Sequence, residues 1–408
     1  MNDIKFINGG VTAPKGFLAS GVHAGIRKNK TKKDLAIIVS EVPANASAVY
    51  TTNLVKGAPI YVTQENLKNG KARAVICNSG YANTCAVGGK ELALATCEIV
   101  EKHFGIPKTD IIVASTGIIG QLMTLEPFEK GVPLLKENLS IIEGGEDASE
   151  AIMTTDTFKK QVAVSFTVGG KTAVIGGIAK GSGMINPNMA TMLAFLTTDI
   201  AISAKMLKKA LSEDTQKTFN MVSVDGDTST NDMYSIMANG MAGNKEITKD
   251  GEDFKAFCTA LNAVSTALSK MLAKDGEGAT KLIECTVEGA KSEKTARLCA
   301  KSVISSSLFK SAMFGADANW GRVLCALGYA GADINVNKIS VSFSSLAGTA
   351  EVCENGMGLN FCETNAKKVL SEKEIFVKIN LNSGDKSATA WGCDLTYDYV
   401  KINGDYRS

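Results

Sequence analysis

Apolar residues along this chain recur in two rhythms. Residues 35–39, 72–77 and 111–114 are short apolar runs rich in Val, Ile and Ala, interrupted only at Arg73, the pattern of buried strands. Between the second and third, residues 90–104 place Leu92, Leu94, Ile99, Val100 and Phe104 near helical spacing, with Gly105-Ile106-Pro107 as a stop, which predicts an amphipathic helix. Residues 161–166 and 172–178 flank Gly169-Gly170 and predict a β-hairpin. Farther on, 204–219 and 254–273 carry helical periodicity, while 282–287, 339–343 and 375–379 read as strands. The class is mixed α/β. No internal repeat, heptad run, low-complexity tract or Pro/Ser-rich linker announces a domain boundary.

The length, 408 residues, suggests two or three units or one large core, and 45% hydrophobic with 21% charged residues is the profile of a globular chain. A net charge of +2 without a long Lys/Arg block argues against a dedicated nucleic-acid binder, which needs a basic face to neutralise phosphates. Small-molecule partners are the expectation. The start, MNDIKFINGGVTAPKGF, has no basic stretch followed by an apolar one, and nowhere do 18 apolar residues run together, so a cytoplasmic protein with no membrane partner is expected. Of ten cysteines without a CxxC pair, most read as small buried hydrophobes in a reducing compartment. With only His23 and His103, zinc sites and Ser-His-Asp machinery have few places to form.

The most unusual segment is Gly176-Gly-Ile-Ala-Lys180-Gly-Ser-Gly183-Met-Ile-Asn-Pro-Asn-Met-Ala190-Thr191. It is no phosphate loop, since Lys180 is followed by Gly181 and not by Ser or Thr at a helix start. It is no dinucleotide fingerprint, since Asn186 stands where a third glycine must pack. Asp225-Gly-Asp227-Thr-Ser229 imitates a calcium loop but has Thr230 and Ile236 at the sixth and twelfth positions, and reads as a polar turn. What remains is Thr191 behind a Pro-bearing turn and the small Ala190. By spacing alone it either opens a buried strand, as β-branched residues do, or attacks the carbonyl before it. In the second case the freed α-amine, with an ordinary pKa near ~8, becomes the base for its own hydroxyl.

The stretch from Lys180 to Phe195 resembles the cleavage-site signature of the ornithine acetyltransferase family, the glutamate N-acetyltransferases of arginine biosynthesis. The resemblance extends through Val11–Phe17, Asn78-Ser-Gly-Tyr-Ala-Asn83, Ala114-Ser-Thr116-Gly117, Met153-Thr-Thr155-Asp156-Thr, Asp225–Asp232 and Asp317-Ala-Asn-Trp-Gly-Arg322, and so covers essentially the whole chain. It implies a layered helix-sheet-sheet-helix sandwich built from two cleavage products. Residues 1–190 would be an α-segment with the oxyanion hole and part of the substrate site; 191–408 would be a β-segment with the nucleophile at its N-terminus, both sharing one core. The family cuts itself at the position of Ala190 and Thr191, and the pieces stay together, which implies an α2β2 assembly.

By resemblance Thr191 is nucleophile and, through its α-amine, base, and Thr116 with Gly117 forms the oxyanion hole. Substrate-binding positions fall on Thr155, Lys180, Thr191, Glu277, Asn403 and Ser408. Lys180 and Glu277 taken alone would be solvated surface charges, and Asn403 and Ser408 a fraying tail. The implied reaction moves acetyl from N2-acetylornithine to glutamate through acetyl-Thr191, without metal or cofactor; some members of the family also take acetyl-CoA as donor. Self-cleaving aminopeptidases of related fold are the alternative, with water as the acceptor.

Overall fold

In the computed structural model, which describes residues 4–186 and 192–405, these apolar runs are strands buried on both faces. In chain order the strands are β1 (Lys5–Ile7), β2 (Phe17–Val22), β3 (Leu35–Tyr50), β4 (Lys71–Tyr81), β5 (Ile111–Ile118), β6 (Lys160–Val168), β7 (Lys171–Lys180), β8 (Leu193–Thr198), β9 (Val222–Ser223) and β10 (Met233–Ala238). All but β9 form one sheet in the order β1-β6-β7-β8-β10-β3-β4-β5, with β2 also paired to β3. The 16 residues of β3 serve two neighbours on one edge: its first half pairs with β2 and its second half with β10, while β4 runs along the other edge.

Alternation explains the runs. Leu35, Ile37 and Val39 of β3, Ala74 and Ile76 of β4, and Ile111 and Val113 of β5 enter one buried cluster with Phe128, Val132 and Leu135 of the helix Glu126–Glu137 and Ala93, Cys97 and Val100 of the helix Gly89–Phe104. Their neighbours Ala36, Ile38, Val75, Cys77, Ile112 and Ala114 enter a second cluster on the opposite face, with Ala148 and Ala151 of the helix Gly144–Ala151. Each large apolar side chain so buried contributes roughly 1.5–3 kcal/mol, so a strand with two buried faces is mostly apolar, and its few buried polar side chains, such as Asn78 and Ser115, bond to one another. The hairpin between β6 and β7 turns at Gly169 (φ 55°) and Gly170 (φ 72°), as a two-residue loop with both centres left-handed requires.

By compactness the chain divides into two units. The first gathers Met1–Gly181, Asn188–Gln216 and Thr228–Leu268, and holds the sheet just described; the second gathers Ser182–Pro187, Lys217–Asp227 and Ser269–Ser408. The second has its own sheet, in which β9 is joined by β11 (Leu282–Ala290), β12 (Ser340–Ser345), β13 (Gly348–Glu354), β14 (Met357–Gly358), β15 (Glu374–Asn380) and β16 (Lys386–Cys393), in the order β14-β13-β12-β15-β11-β16-β9. Here β15 alternates cleanly: Ile375, Val377 and Ile379 are buried, Glu374, Phe376 and Lys378 exposed. The helix Glu293–Ser305, capped by Ser292 accepting from the Thr295 N–H, packs Ala296, Cys299, Ala300 and Val303 into the core beside β11 and β16.

The helical pattern over 204–219 overshoots. The helix is Ala204–Thr215, and Phe219 is buried from a separate 3₁₀ turn, Phe219–Met221, after Thr218 leaves helical geometry. Among the described residues, which include every cysteine, all ten thiols are free and six are buried. Among the same residues no helix is long and apolar enough to cross a membrane.

Candidate active site

The strands β4 and β5 run parallel, and their register sets Ser79 opposite Thr116 and Gly80 opposite Gly117. Both glycines lie at left-handed φ, 133° for Gly80 and 129° for Gly117, and a Cβ on Gly117 would stand 2.3 Å from the carbonyl carbon of Gly80. No other residue fits there. Gly117 lies near the end of β5 and permits a close approach of two backbones. The ends of the two strands are tied together by side chains. The Ser115 hydroxyl donates to Asn78 Oδ1 at 2.6 Å, and the Asn231 side-chain amide donates to the backbone carbonyl oxygens of Ala82 and Ser115 at 2.5 and 2.9 Å. The carbonyl of Asn231 in turn accepts from Thr84 and Thr230.

Lys180 closes β7, and its ammonium donates to the Thr116 hydroxyl oxygen at 3.3 Å. Contrary to the expectation of a solvated charge, Lys180 is 8% exposed. Its surroundings are ionic. Asp156 accepts through Oδ1 from the Lys160 ammonium at 2.7 Å and from the Gly181 N–H at 2.7 Å, and through Oδ2 from the Thr154 N–H at 2.8 Å. The side chains of Asp156 and Lys160 are wholly buried. Burial alone would raise the Asp156 pKa, but the cations of Lys160 and Lys180 and the Gly181 N–H hold it well below the usual carboxylate range. Burial pulls Lys180 below its ordinary value, assisted by Lys160 and opposed by Asp156 and Asp232. Thr155 is half-buried in the loop between Thr154 and Asp156.

Asp232 directly precedes β10 and is fully buried. Burial raises its pKa well above that of an ordinary carboxylate, opposed by hydrogen bonds with Ser229 and Thr51 and by the charge of Lys180. Its Oδ2 has no hydrogen-bond partner among the described residues.

In the second unit the segment Ser182–Asn186 is held from both sides. The Asp225 carboxylate accepts from the N–H groups of Met184 and Ile185 at 2.5 and 2.9 Å and from that of Asp227 at 3.2 Å, so the polar turn expected at Asp225 is a clamp on this segment. Ser182 donates to the Asp275 carbonyl, and its own carbonyl accepts from the Glu277 N–H at 2.9 Å. Glu277 is buried, 8% exposed, again unlike a surface charge; a Cβ on Gly183 would fall 2.4 Å from its carboxyl carbon, so a larger residue there must push the Glu277 carboxylate aside. Asn403 donates to Glu277 Oε2 at 2.8 Å from the helix Tyr397–Gly404, which Thr396 caps and anchors by donating to the Gly278 carbonyl. Asn403 is therefore no fraying tail. Burial, and then the acids Asp225, Asp227 and Glu277, raise the pKa of Tyr399 on the same helix.

The structure thus brings Thr116 to Lys180 in the first unit and Glu277 to Asn403 in the second. Ala190, Thr191 and Ser408 lie outside the described residues. Sequence reading missed Asp156, Lys160, Asn231 and Asp232 as site residues. Two of them stand i,i+4 with opposite charge, a signal too common to single out.

The profile of the ArgJ family matches residues 18–408 of this chain. The chain belongs to the ArgJ family. It is an enzyme of the acyltransferase class. The arginine biosynthesis bifunctional protein ArgJ of Caldanaerobacter subterraneus subsp. tengcongensis is 50% identical over 410 residues, covering 99% of this chain and 100% of its own. The ArgJ protein of Bacillus subtilis is 47% identical over 404 residues, covering 98% of this chain and 97% of its own. The crystal structure of ArgJ from Bacillus halodurans superposes with a TM-score of 0.50 at 44% identity, covering 52% of this chain and 99% of that one.

Proposed function

We propose that this ArgJ-family enzyme transfers the acetyl group of N2-acetylornithine to glutamate through an acetyl ester on Thr191, after cutting itself between Ala190 and Thr191. In maturation the Thr191 hydroxyl attacks the Ala190 carbonyl, the peptide C–N bond breaks as the ester forms, and water opens the ester, leaving Thr191 with a free α-amine. In turnover that amine takes the hydroxyl proton as the oxygen attacks the acetyl carbonyl; the tetrahedral intermediate collapses, the proton passes to the departing amine of ornithine, and the ester remains. The amine of glutamate then attacks the ester, loses a proton and frees the Thr191 hydroxyl.

The observation that carries this reading is the contact of Lys180 with Thr116. The ammonium donates into the hydroxyl oxygen, which leaves the Thr116 O–H to donate, beside the Gly117 N–H, to an oxyanion. Lys180 would also neutralise the substrate carboxylate, Glu277 with Asn403 would hold its ammonium group, and Thr155 and Ser408 would fix the amide. Residues alone supply every step, with no metal or cofactor. Two comparisons support the proposal: the full-length relatives are named for arginine biosynthesis, and the solved Bacillus halodurans chain corresponds to about half of this one. The pieces would remain joined as α2β2. The word bifunctional in the relatives' names fits acetyl-CoA as a second donor.

Intact mass under denaturing conditions tests it. Two pieces of about 20 and 23 kDa, the scale of ordinary domains, with about 42 Da added to the larger by N2-acetylornithine and removed by glutamate, are expected. An active protein of one uncut, unacetylated mass overturns the nucleophile; acetate release without acetylglutamate overturns the acceptor.

A further inference from the structure

We propose that the buried pair Asp156–Lys160 is a positioning device for Lys180, in which Asp156 fixes the place and charge of the Lys180 ammonium against Thr116 and Lys160 keeps Asp156 from over-neutralising it. The proposal deepens the reading above and rests on it for its kinetic arm.

One carboxylate joins the two chain segments that carry site residues of the first unit. Through Oδ2 it holds the N–H of Thr154, next to Thr155; through Oδ1 it holds the N–H of Gly181, next to Lys180. An aspartate needed only to end β7 could do so without an ion pair, since backbone N–H groups satisfy a carboxylate by themselves. Here Oδ1 also receives Lys160, whose side chain is wholly buried, an arrangement that taken alone gives little net stability over an apolar pair. What the second cation alters is the charge felt by the first. Among the described residues, the charged and titratable groups acting on Lys180 are Asp156, Lys160, Asp232 and Cys77. Asp156 favours its charged form and Lys160 opposes it; Asp232 favours it when ionised, and the Cys77 thiol, buried and pushed up to about 12, stays neutral through the working range. The pair therefore leaves Lys180 a positive group that is held in place but not cancelled, free to meet an incoming carboxylate while its hydrogen bond polarises Thr116.

The test uses the full-length enzyme with three variants: Asp156→Asn, Lys160→Met and the double variant. The 15Nζ resonance of Lys180, identified by its loss in Lys180→Arg, is titrated in each, and KM and kcat for N2-acetylornithine are followed against pH. Asp156→Asn is expected to lower the Lys180 midpoint, move the alkaline limb of kcat/KM to lower pH and raise KM at least 10-fold. Lys160→Met is expected to move midpoint and limb the opposite way. The double variant, free of unpaired buried charge, keeps the fold but not the KM. Shifts in the same direction, no shift, or a double variant that recovers KM with its fold would overturn the proposal and leave the pair a structural brace. Titration of Lys180 reads out without turnover, so a wild type that fails to transfer acetyl sinks the acetyltransferase reading and not this one.

Discussion

The ammonium of Lys180, at the end of β7, donates to the hydroxyl of Thr116, 64 residues earlier in β5, across 3.3 Å. Removing that hydroxyl takes away the side-chain donor of the proposed oxyanion pair and leaves the backbone untouched. Thr116→Ala is expected to cut kcat for acetyl transfer on the order of 10²-fold with acetylornithine affinity and melting temperature nearly unchanged. Steady-state kinetics beside a thermal melt decide it; a variant that loses stability and activity together would assign Thr116 to the scaffold.

Gly117→Ala fails differently. The new Cβ would meet the Gly80 carbonyl carbon at 2.3 Å and its oxygen at 2.4 Å, with φ at 129°. Neither backbone can yield without breaking the β4–β5 register, so a loss of ~2 kcal/mol or more in unfolding free energy is expected together with lost activity. Denaturant titration checks it, and a fully stable but inactive Gly117→Ala would contradict the geometry.

Much of the fold is written in the apolar pattern, for a physical reason. Strands β3, β4 and β5 are covered on both faces over their apolar stretches, which therefore read as near-continuous runs, and β15, with one face exposed, reads as alternation. By contrast β10, Met-Tyr-Ser-Ile-Met-Ala, has a buried serine and a buried tyrosine, Tyr234 bonding Ser265 in the interior, so its polarity conceals a central strand. The site followed the same division. The motif around Thr116 and Lys180 is local and legible, but the burial of Lys180, Glu277, Asp156 and Asp232 depends on partners far away in sequence, and an isolated charge in a sequence reads as solvated.

Asp232 makes stability depend on pH. Its folded pKa is raised above the ~3.9 of an unfolded aspartate, so between those values the native state holds a proton that the unfolded chain has lost. Its contribution is fully present below about pH 4 and is lost as pH rises toward the folded pKa. Asp232→Asn removes the titration. Its melting temperature relative to wild type is expected to climb as pH rises above about 4; a pH-independent difference would mean that the Asp232 carboxyl is not held protonated by the fold.

The thiols divide by exposure. Cys85, Cys325 and Cys362 are exposed, while Cys77, Cys97, Cys285, Cys299, Cys353 and Cys393 are buried. Burial pushes Cys97 and Cys258 up to about 12 and Cys299 up to about 11, so little thiolate exists there at neutral pH. Brief alkylation of native enzyme at pH 8, read by peptide mass spectrometry, is expected to label the three exposed cysteines first. Early labelling of Cys77 or Cys285 would show that the interior opens readily.

Strand β8, just downstream of the Ala190–Thr191 junction, lies between β7 and β10, and β10 lies between β8 and β3. Two strands from one side of that junction are thus laced into the middle of a sheet whose remaining strands come from the other. A chain cut there has traded an intramolecular refolding problem for a bimolecular one: once melted, its halves must find each other, and recovery scales with concentration. Such an enzyme endures by the height of its unfolding barrier and not by its ability to fold again, so its working lifetime is a rate fixed before the first turnover.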